Sequence, residues 1–349
     1  MKNKLKHLVP VLLAIATITG SLSACELKPK AQQKVSKQGF YFDTIIQITL
    51  YGTTDEKYID DCFDMAKKYE DMLSNTVSYS EVSKINDAAG KEYVTVSNDT
   101  LELIKNGIEY GDTSDGRFDI TIGKLSDLWN FSEIAENTDS KDNEVDASVV
   151  PSDAQIQSEL SHVNYRNIQI NGNDVMLTDS KAKLDLGGIA KGFIADKMKT
   201  YLQSKKITSG IINLGGNVLT VGEKSDRSDY TVGIQKPFDE SGEPICTVKV
   251  KDKSVVTSGI YERYYRVDGK LYHHILDTTT GYPVKNNLYS VTIISDSSCN
   301  GDALSTTCFA LGIDKAKELI NSLSGVEAIF VTDDYSIITT SDEYSVSTE

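Results

Sequence analysis

A chain of 349 residues suffices for one large domain or two modest ones with a substantial core. Its hydrophobic share of 39% and charged share of 25% are ordinary globular values, but the net charge is −15. So acidic a surface argues against non-specific binding to nucleic acid or to an anionic membrane, and an anionic ligand would need a local positive device.

The N-terminus reads as a targeting segment. Lys2, Lys4 and Lys6 precede an apolar run from Leu8 to Ile18, and Leu22-Ser23-Ala24-Cys25 resembles the lipobox of bacterial lipoproteins. Residues 1–24 are then a cleaved leader and Cys25 a lipidated thiol. The plainer alternative is a signal peptide with an incidental cysteine. Residues 25–38 read as a polar tether, leaving the domain at 39–349. No later apolar run reaches about 18 residues, so no other membrane span is expected.

In chain order, residues 39–51 (GFYFDTIIQITLY) predict one long strand. Over 55–73, Ile59, Cys62, Phe63, Ala66, Tyr69 and Leu73 recur at helical spacing, with Thr54 as N-cap. A turn leads into SEVSKIN, a short helix capped by Ser80; a strand at 93–96 and a helix over 98–110 follow. Residues 133–150 are acidic and aperiodic, the pattern of a mobile surface insertion. Ser152 opens a helix to Leu160, and Asn171-Gly172 marks a hairpin within 168–178. Residues 184–186 read as a short strand that breaks at Gly187-Gly188 into an amphipathic helix. Beyond it, strands are expected at 210–214, 230–235, 246–250, 254–257 and 289–294. Hairpins fall at 261–272 and 327–340, and helices at 303–311 and 315–323. Strands outnumber helices without regular βαβ alternation, so the class is α+β: one large domain with mixed or antiparallel sheets and flanking helices. Cys62, Cys246, Cys299 and Cys308 have no metal-binding spacing and read as buried free thiols.

Four stretches can carry chemistry. In LDLGGIAKGFIAD (184–196), a glycine pair before a helix start lets backbone approach a phosphate, with Lys191 in the first turn. The plainer reading is a tight strand-to-helix turn. In His273-His274-Ile275-Leu276-Asp277, adjacent strand residues face opposite ways, so at most one histidine enters a given site. There it serves as general base, ligand holder or structural group. Asp302 and Thr306, four apart on a helix, present a carboxylate and a hydroxyl on one face, oxygens of the kind Mg²⁺ takes. The alternative makes Asp302 a cap and Thr306 packing. Asp119, set between Phe118 and Ile120, is a partly buried carboxylate that needs a ligand hydroxyl or backbone N–H partners. No GxSxG elbow is present.

LDLGGIAKGFIAD, NLGGNV, SGIYERYY, HHILDTTTGYP and GDALSTTCFALG occur here in the order of the ApbE family, the FAD:protein FMN transferases. FDTIIQITLYG, SEVSKIN and GRFDITIGKLSDLW extend the resemblance to roughly residues 40–340. The resemblance implies that FAD is bound with Mg²⁺ (or Mn²⁺) at its pyrophosphate. FMN would pass to a threonine or serine hydroxyl of an extracytoplasmic acceptor, a membrane electron-transfer component, and AMP would leave. Asp302 and Thr306 would ligate the metal by side chain and Gly188 by its carbonyl. Asp185, Lys191 and the segment Phe118, Asp119 and Ile120 resemble FAD-contacting positions, as does backbone near Leu276. His274 resembles the essential histidine, the candidate base. Phe42-Asp43-Thr44 stands where the family has Met-Gly-Thr, so the flavin contact of Phe42 departs from the pattern; so do Thr278 after Asp277, in place of proline, and Thr76 in place of an aromatic. Two rivals remain: FAD hydrolysis to FMN and AMP at the same site, and a surface lipoprotein that captures flavin without chemistry. Capture alone needs no joint arrangement of metal ligands and base.

Overall fold

The computed structural model describes residues 33–138, 143–224, 226–239, 241–342, 344 and 346–347. The leader, Cys25 and residues 26–32 of the tether lie outside the described residues.

The expected long strand is a hairpin. Strands β1 (Lys34–Tyr41) and β2 (Thr44–Tyr51) pair in register from Lys34↔Tyr51 to Tyr41↔Thr44. They turn on Phe42 and Asp43, both left-handed at φ 54° and 55°. Such a turn usually announces itself as Asn-Gly, and Phe-Asp hid it. The pairing also draws residues 34–38 out of the tether and into the sheet.

Helix α1 (Lys57–Leu73) buries Ile59, Cys62, Ala66, Tyr69 and Leu73 but starts after Glu56, without a side-chain cap from Thr54. Ser80 does cap α2 (Glu81–Asp87), accepting from Ser83 N–H. After β3 (Val94–Thr95) comes α3 (Asn98–Thr113), then α4 (Gly123–Trp129) and α5 (Phe131–Glu136). The acidic insertion is therefore helical at its start. At its end, Val145 N–H donates to Arg266 O at 2.9 Å, and Val145, Val149 and Val150 pack on the Trp129 cluster. These sparse valines were invisible to a periodicity search.

A capping box opens α6 (Asp153–Leu160), and β4 (Ile168–Asn171) pairs with β5 (Asp174–Leu177) across a Gly172-Asn173 loop. Helix α7 (Ala190–Ser204) leads to β6 (Ser209–Leu214), β7 (Asn217–Gly222), β8 (Tyr230–Gln235), β9 (Pro244–Val250) and β10 (Ser254–Gly259). The hairpin β11 (Tyr264–Val267) and β12 (Lys270–His273) precedes β13 (Leu288–Ser295). Helices α8 (Ser298–Leu311) and α9 (Ile313–Asn321) and strands β14 (Glu327–Thr332), β15 (Ile337–Thr339) and β16 (Val346–Ser347) close the chain.

The framework is an eight-stranded sheet in the order β1-β2-β6-β7-β10-β13-β14-β15, antiparallel between all neighbours. Helices α1, α7, α8 and α9 cover one face. The small sheet β16-β9-β8 covers part of the other, where Tyr230, Val232 and Val248 meet Val255, Ile294 and Ile329. Apolar side chains on both faces of β13 are buried, which is why its sequence does not alternate. The four described cysteines are buried and free, and burial pushes the Cys62, Cys299 and Cys308 thiols up to about 12.

Candidate active site

Residues 184–186 form no sheet strand. The segment is extended because the Asn86 side chain brackets it, accepting from Leu184 N–H at 2.7 Å and donating to Leu184 O at 3.1 Å. Asp185 N–H adds a bond to Ile120 O at 2.8 Å. Leu184 and Leu186 are buried beneath, so alternation mimicked a strand. The Asp185 carboxylate then accepts from Gly187 N–H at 2.8 Å and bends the chain. Gly188 lies in a crease: a Cβ there would stand 3.2 Å from the Phe118 ring and 4.0 Å from Thr306 Oγ1. A glycine here lets the backbone sit beside both.

Helix α7 then crosses α8 at backbone contact. A Cβ on Gly192 would fall 2.1 Å from Ser298 O, so only glycine permits the approach. Asp196, one turn on, holds the start of α8 with both oxygens. It accepts from Ser298 N–H and Cys299 N–H at 2.9 Å each and from Ser297 Oγ at 2.8 Å. These donors would otherwise be the orphan amides of a helix start. Since Ser297 is the N-cap, Asp302 lies inside α8 rather than at its start, and the capping alternative fails. Asp302 is 6% exposed, and its Oδ2 accepts from Gly192 N–H at 2.9 Å. Burial raises its carboxyl, while the Lys191 charge and the Gly192 amide pull it back. Thr306 Oγ1 lies 3.1 Å from Ser258 Oγ on β10.

The opposite wall is the β11–β12 hairpin and the loop after it. His273 is buried, with Nε2 at 3.0 Å from Val284 O and Nδ1 accepting from Ile275 N–H at 3.3 Å. Both nitrogens are committed to backbone, and burial pushes it down to about 4. His274 faces the other way and is half-buried. Its Nδ1 lies 3.2 Å from Arg263 O, a contact that only Nδ1–H can make, so the lone pair falls on Nε2. Burial first, then the charges of Arg263, His273 and Lys191, push His274 down to about 3. The loop is clasped to the Gly116–Phe118 stretch. Arg117 pairs with Asp277 at 3.0 Å, and Thr278 Oγ1 donates to Gly116 O at 2.6 Å. Backbone at Leu276 pairs with Pro283, and its side chain is buried with Trp129 and Tyr265.

The fold thus brings Gly188, Phe118, Thr306, Asp302 and Lys191 together, with the charge of Lys191 reaching His274. Other expected positions serve the frame by their side chains. Asp119 gives Oδ1 to Thr121 N–H (2.8 Å) and Oγ1 (2.6 Å), and Oδ2 to Tyr165 N–H (2.9 Å), so the backbone alternative is the one realised. Ile120 fills the space over Gly107. Phe42 is in the hairpin turn, where its N–H donates to Glu70 at 2.9 Å. Asn86, Gly192, Asp196, Ser258 and Glu262 went unassigned in the sequence. A glycine within a helix was a usable signal for Gly192. Glu262 is exposed; partial desolvation raises its carboxyl, the charges of Lys191 and Arg263 lower it, and that of Asp302 raises it again.

This oxygen set suits a hard cation. It offers a buried carboxylate whose Oδ1 takes no hydrogen bond from the described residues, and a threonine hydroxyl beside a bare glycine backbone. Among the described residues no three His, Cys, Asp or Glu side chains cluster as metal ligands. A cation here would lean on backbone, water and substrate oxygens, as Mg²⁺ does.

An α+β frame with this constellation defines a class. The ApbE family model matches residues 42–330, and the chain belongs to the ApbE family. It is 37% identical to a FAD:protein FMN transferase of Klebsiella pneumoniae (strain 342), over 85% of this chain and 88% of that one. A protein of the same name from Treponema pallidum is 32% identical over 79% and 77%. Among solved structures, an ApbE protein from Thermotoga maritima superposes with TM-score 0.77 at 31% identity, covering 88% of this chain and 96% of that one. The flavin transferase ApbE from Vibrio cholerae gives 0.76 at 25% identity, covering 91% and 98%.

Proposed function

We propose that this chain transfers FMN from FAD to a threonine or serine hydroxyl of an extracytoplasmic acceptor protein and releases AMP. Supporting this reading are the names of its relatives, the grouping of Asp302, Thr306 and Gly188, and a histidine whose tautomer is fixed. The last carries most weight. With Nδ1–H held by Arg263 O, Nε2 is a standing proton acceptor, the requirement for a base acting on a hydroxyl of high pKa.

Each group has a role. Phe118, the backbone through Ile120, Asp185 and Leu276 line the flavin nucleotide, and Lys191 faces its pyrophosphate. Asp302, Thr306 and the Gly188 carbonyl hold Mg²⁺ or Mn²⁺, which when bound neutralises phosphate charge in an otherwise acidic protein. His274 Nε2 takes the acceptor proton as the acceptor oxygen bonds to the FMN phosphorus. The bond from that phosphorus to the bridging oxygen breaks, and AMP leaves with that oxygen. Lipidation at Cys25 would place the enzyme on the outer face of the cell membrane beside membrane electron-transfer acceptors. More than one acyl chain is needed for lasting anchorage. Among the described residues no helix is long and apolar enough to cross a membrane.

The test mixes mature protein, FAD, Mg²⁺ and exported proteins, and reads in-gel flavin fluorescence together with AMP. Fluorescent acceptor bands with matching AMP are expected; AMP and FMN without labelled protein would mean hydrolysis.

A further inference from the structure

Three hydroxyls run from Thr306 into the frame, and their polarity follows from counting one hydrogen on each. Ser305 Oγ donates to the Asp302 carbonyl at 2.9 Å, and that oxygen can only accept. Ser305 has then spent its hydrogen, so its 2.7 Å contact with Ser258 Oγ requires Ser258 to donate. Ser258 has in turn spent its own, so the 3.1 Å contact with Thr306 Oγ1 requires Thr306 to donate. The chain reads Thr306 O–H to Ser258 O–H to Ser305 O–H to Asp302 C=O. Its end is the backbone of the residue whose carboxylate completes the oxygen set.

We propose that Ser258 is a positioning residue that turns the Thr306 hydroxyl hydrogen into the sheet and leaves the oxygen lone pairs facing the cation. The inference rests on the reading of Thr306 as a metal ligand. Without Ser258 the Thr306 hydroxyl has no side-chain acceptor among the described residues and can rotate its hydrogen toward the cation, where it repels. With it, cation and chain reinforce each other, because an oxygen that donates charge to a metal is a stronger hydrogen-bond donor. The arrangement spans two elements: Ser258 is the penultimate residue of β10, and Thr306 and Ser305 lie on α8. A sequence scan for ligands cannot see it.

The test measures Mn²⁺ affinity of the mature chain, with and without FAD, by the EPR signal of the free ion. Ser258→Ala should weaken Mn²⁺ by about 10–100-fold, the usual cost of losing an outer partner of a ligand, and Ser258→Thr should restore most of it. Metal-free FAD affinity should stay within about twofold of wild type. In a Thr306→Ala background, Ser258→Ala should cost nothing more, which a merely structural serine would not obey. Ser305→Ala frees the Ser258 hydrogen to turn back on Thr306 and should weaken Mn²⁺ too, even if Ser258→Ala proves unstable. Unchanged Mn²⁺ affinity in Ser258→Ala, or an equal loss in both backgrounds, overturns the proposal while the ligand reading stands. Wild-type affinity in Thr306→Ala removes the ligand reading and the proposal with it.

Discussion

The two walls of the site are built by different physics. On the α7–α8 side, helices meet at backbone contact over Gly192, Asp196 holds the start of α8, and Asp302 bonds back to α7. Position there is fixed by close packing, which tolerates little change. On the hairpin side, His274 hangs from a backbone carbonyl, and its loop is fastened largely by hydrogen bonds from other segments: Arg117 to Asp277 and Thr279, Thr278 to Gly116 O, and Trp129 Nε1–H to Gly281 O. Polar fastenings of that kind are individually weak. In the function proposed above, the wall that would place the cation is fixed by helix packing, and the wall that would carry the base is fixed by hydrogen bonds from separate segments.

The sharpest break is expected from Asp302→Ala. Losing a charged ligand should cost several kcal/mol of charge stabilisation, on the order of 10³-fold or more in turnover. FAD affinity should also lose its Mg²⁺ dependence, read by flavin fluorescence titration; normal activity at low Mg²⁺ would remove the metal assignment. Next is His274→Ala, with transfer slowed by roughly 10²–10⁴ and FAD binding nearly intact. Because His274 sits near 3, it is already the free base at pH 5, so the wild-type rate should lack a rising limb between pH 5 and 8. A limb near 6.5 that vanishes in His274→Ala would show that the imidazole titrates unperturbed.

His273 sharpens the contrast through stability. Its folded pKa of about 4 lies below the unfolded value of about 6.5, so the folded state binds fewer protons. Its contribution is present above pH 6.5 and is lost as pH falls toward 4, on the order of 3 kcal/mol in all. His273→Gln should therefore be destabilised at pH 7.5 by urea unfolding, with the gap from wild type narrowing at pH 4.5. A gap independent of pH would contradict this. Gly192→Ala drives a methyl into Ser298 O and should cost about 1–3 kcal/mol while weakening Mg²⁺. The smallest effect belongs to Arg117→Ala, about 1 kcal/mol or less in stability, because both partners of the pair are partly exposed.

Much of the frame was legible because helices of the α1 and α9 kind keep a 3.6-residue stripe and the hairpins keep their turn residues. It failed where a side chain, not a ladder, held the backbone. The alternating Leu184 and Leu186 looked like a strand although the Asn86 side chain holds that segment, and Phe42-Asp43 turned without glycine. At the site, Asp302, Thr306 and His274 were legible through motif resemblance, and spacing alone left each open. Asp196 and Ser258 act through contacts 47 to 103 residues apart, and Glu262 meets the charges of Lys191 and Asp302 from distant segments, none of which a local pattern records.

The division of labour between the walls is tested most directly by single-turnover FMN transfer from FAD to an acceptor across an Mg²⁺ series, comparing wild type with His274→Ala. The variant should keep the half-saturating Mg²⁺ concentration of wild type, with a plateau lowered by at least about 10². A half-saturating concentration that rises in the variant, with the plateau recovering at high Mg²⁺, would place His274 on the cation's side and contradict this division.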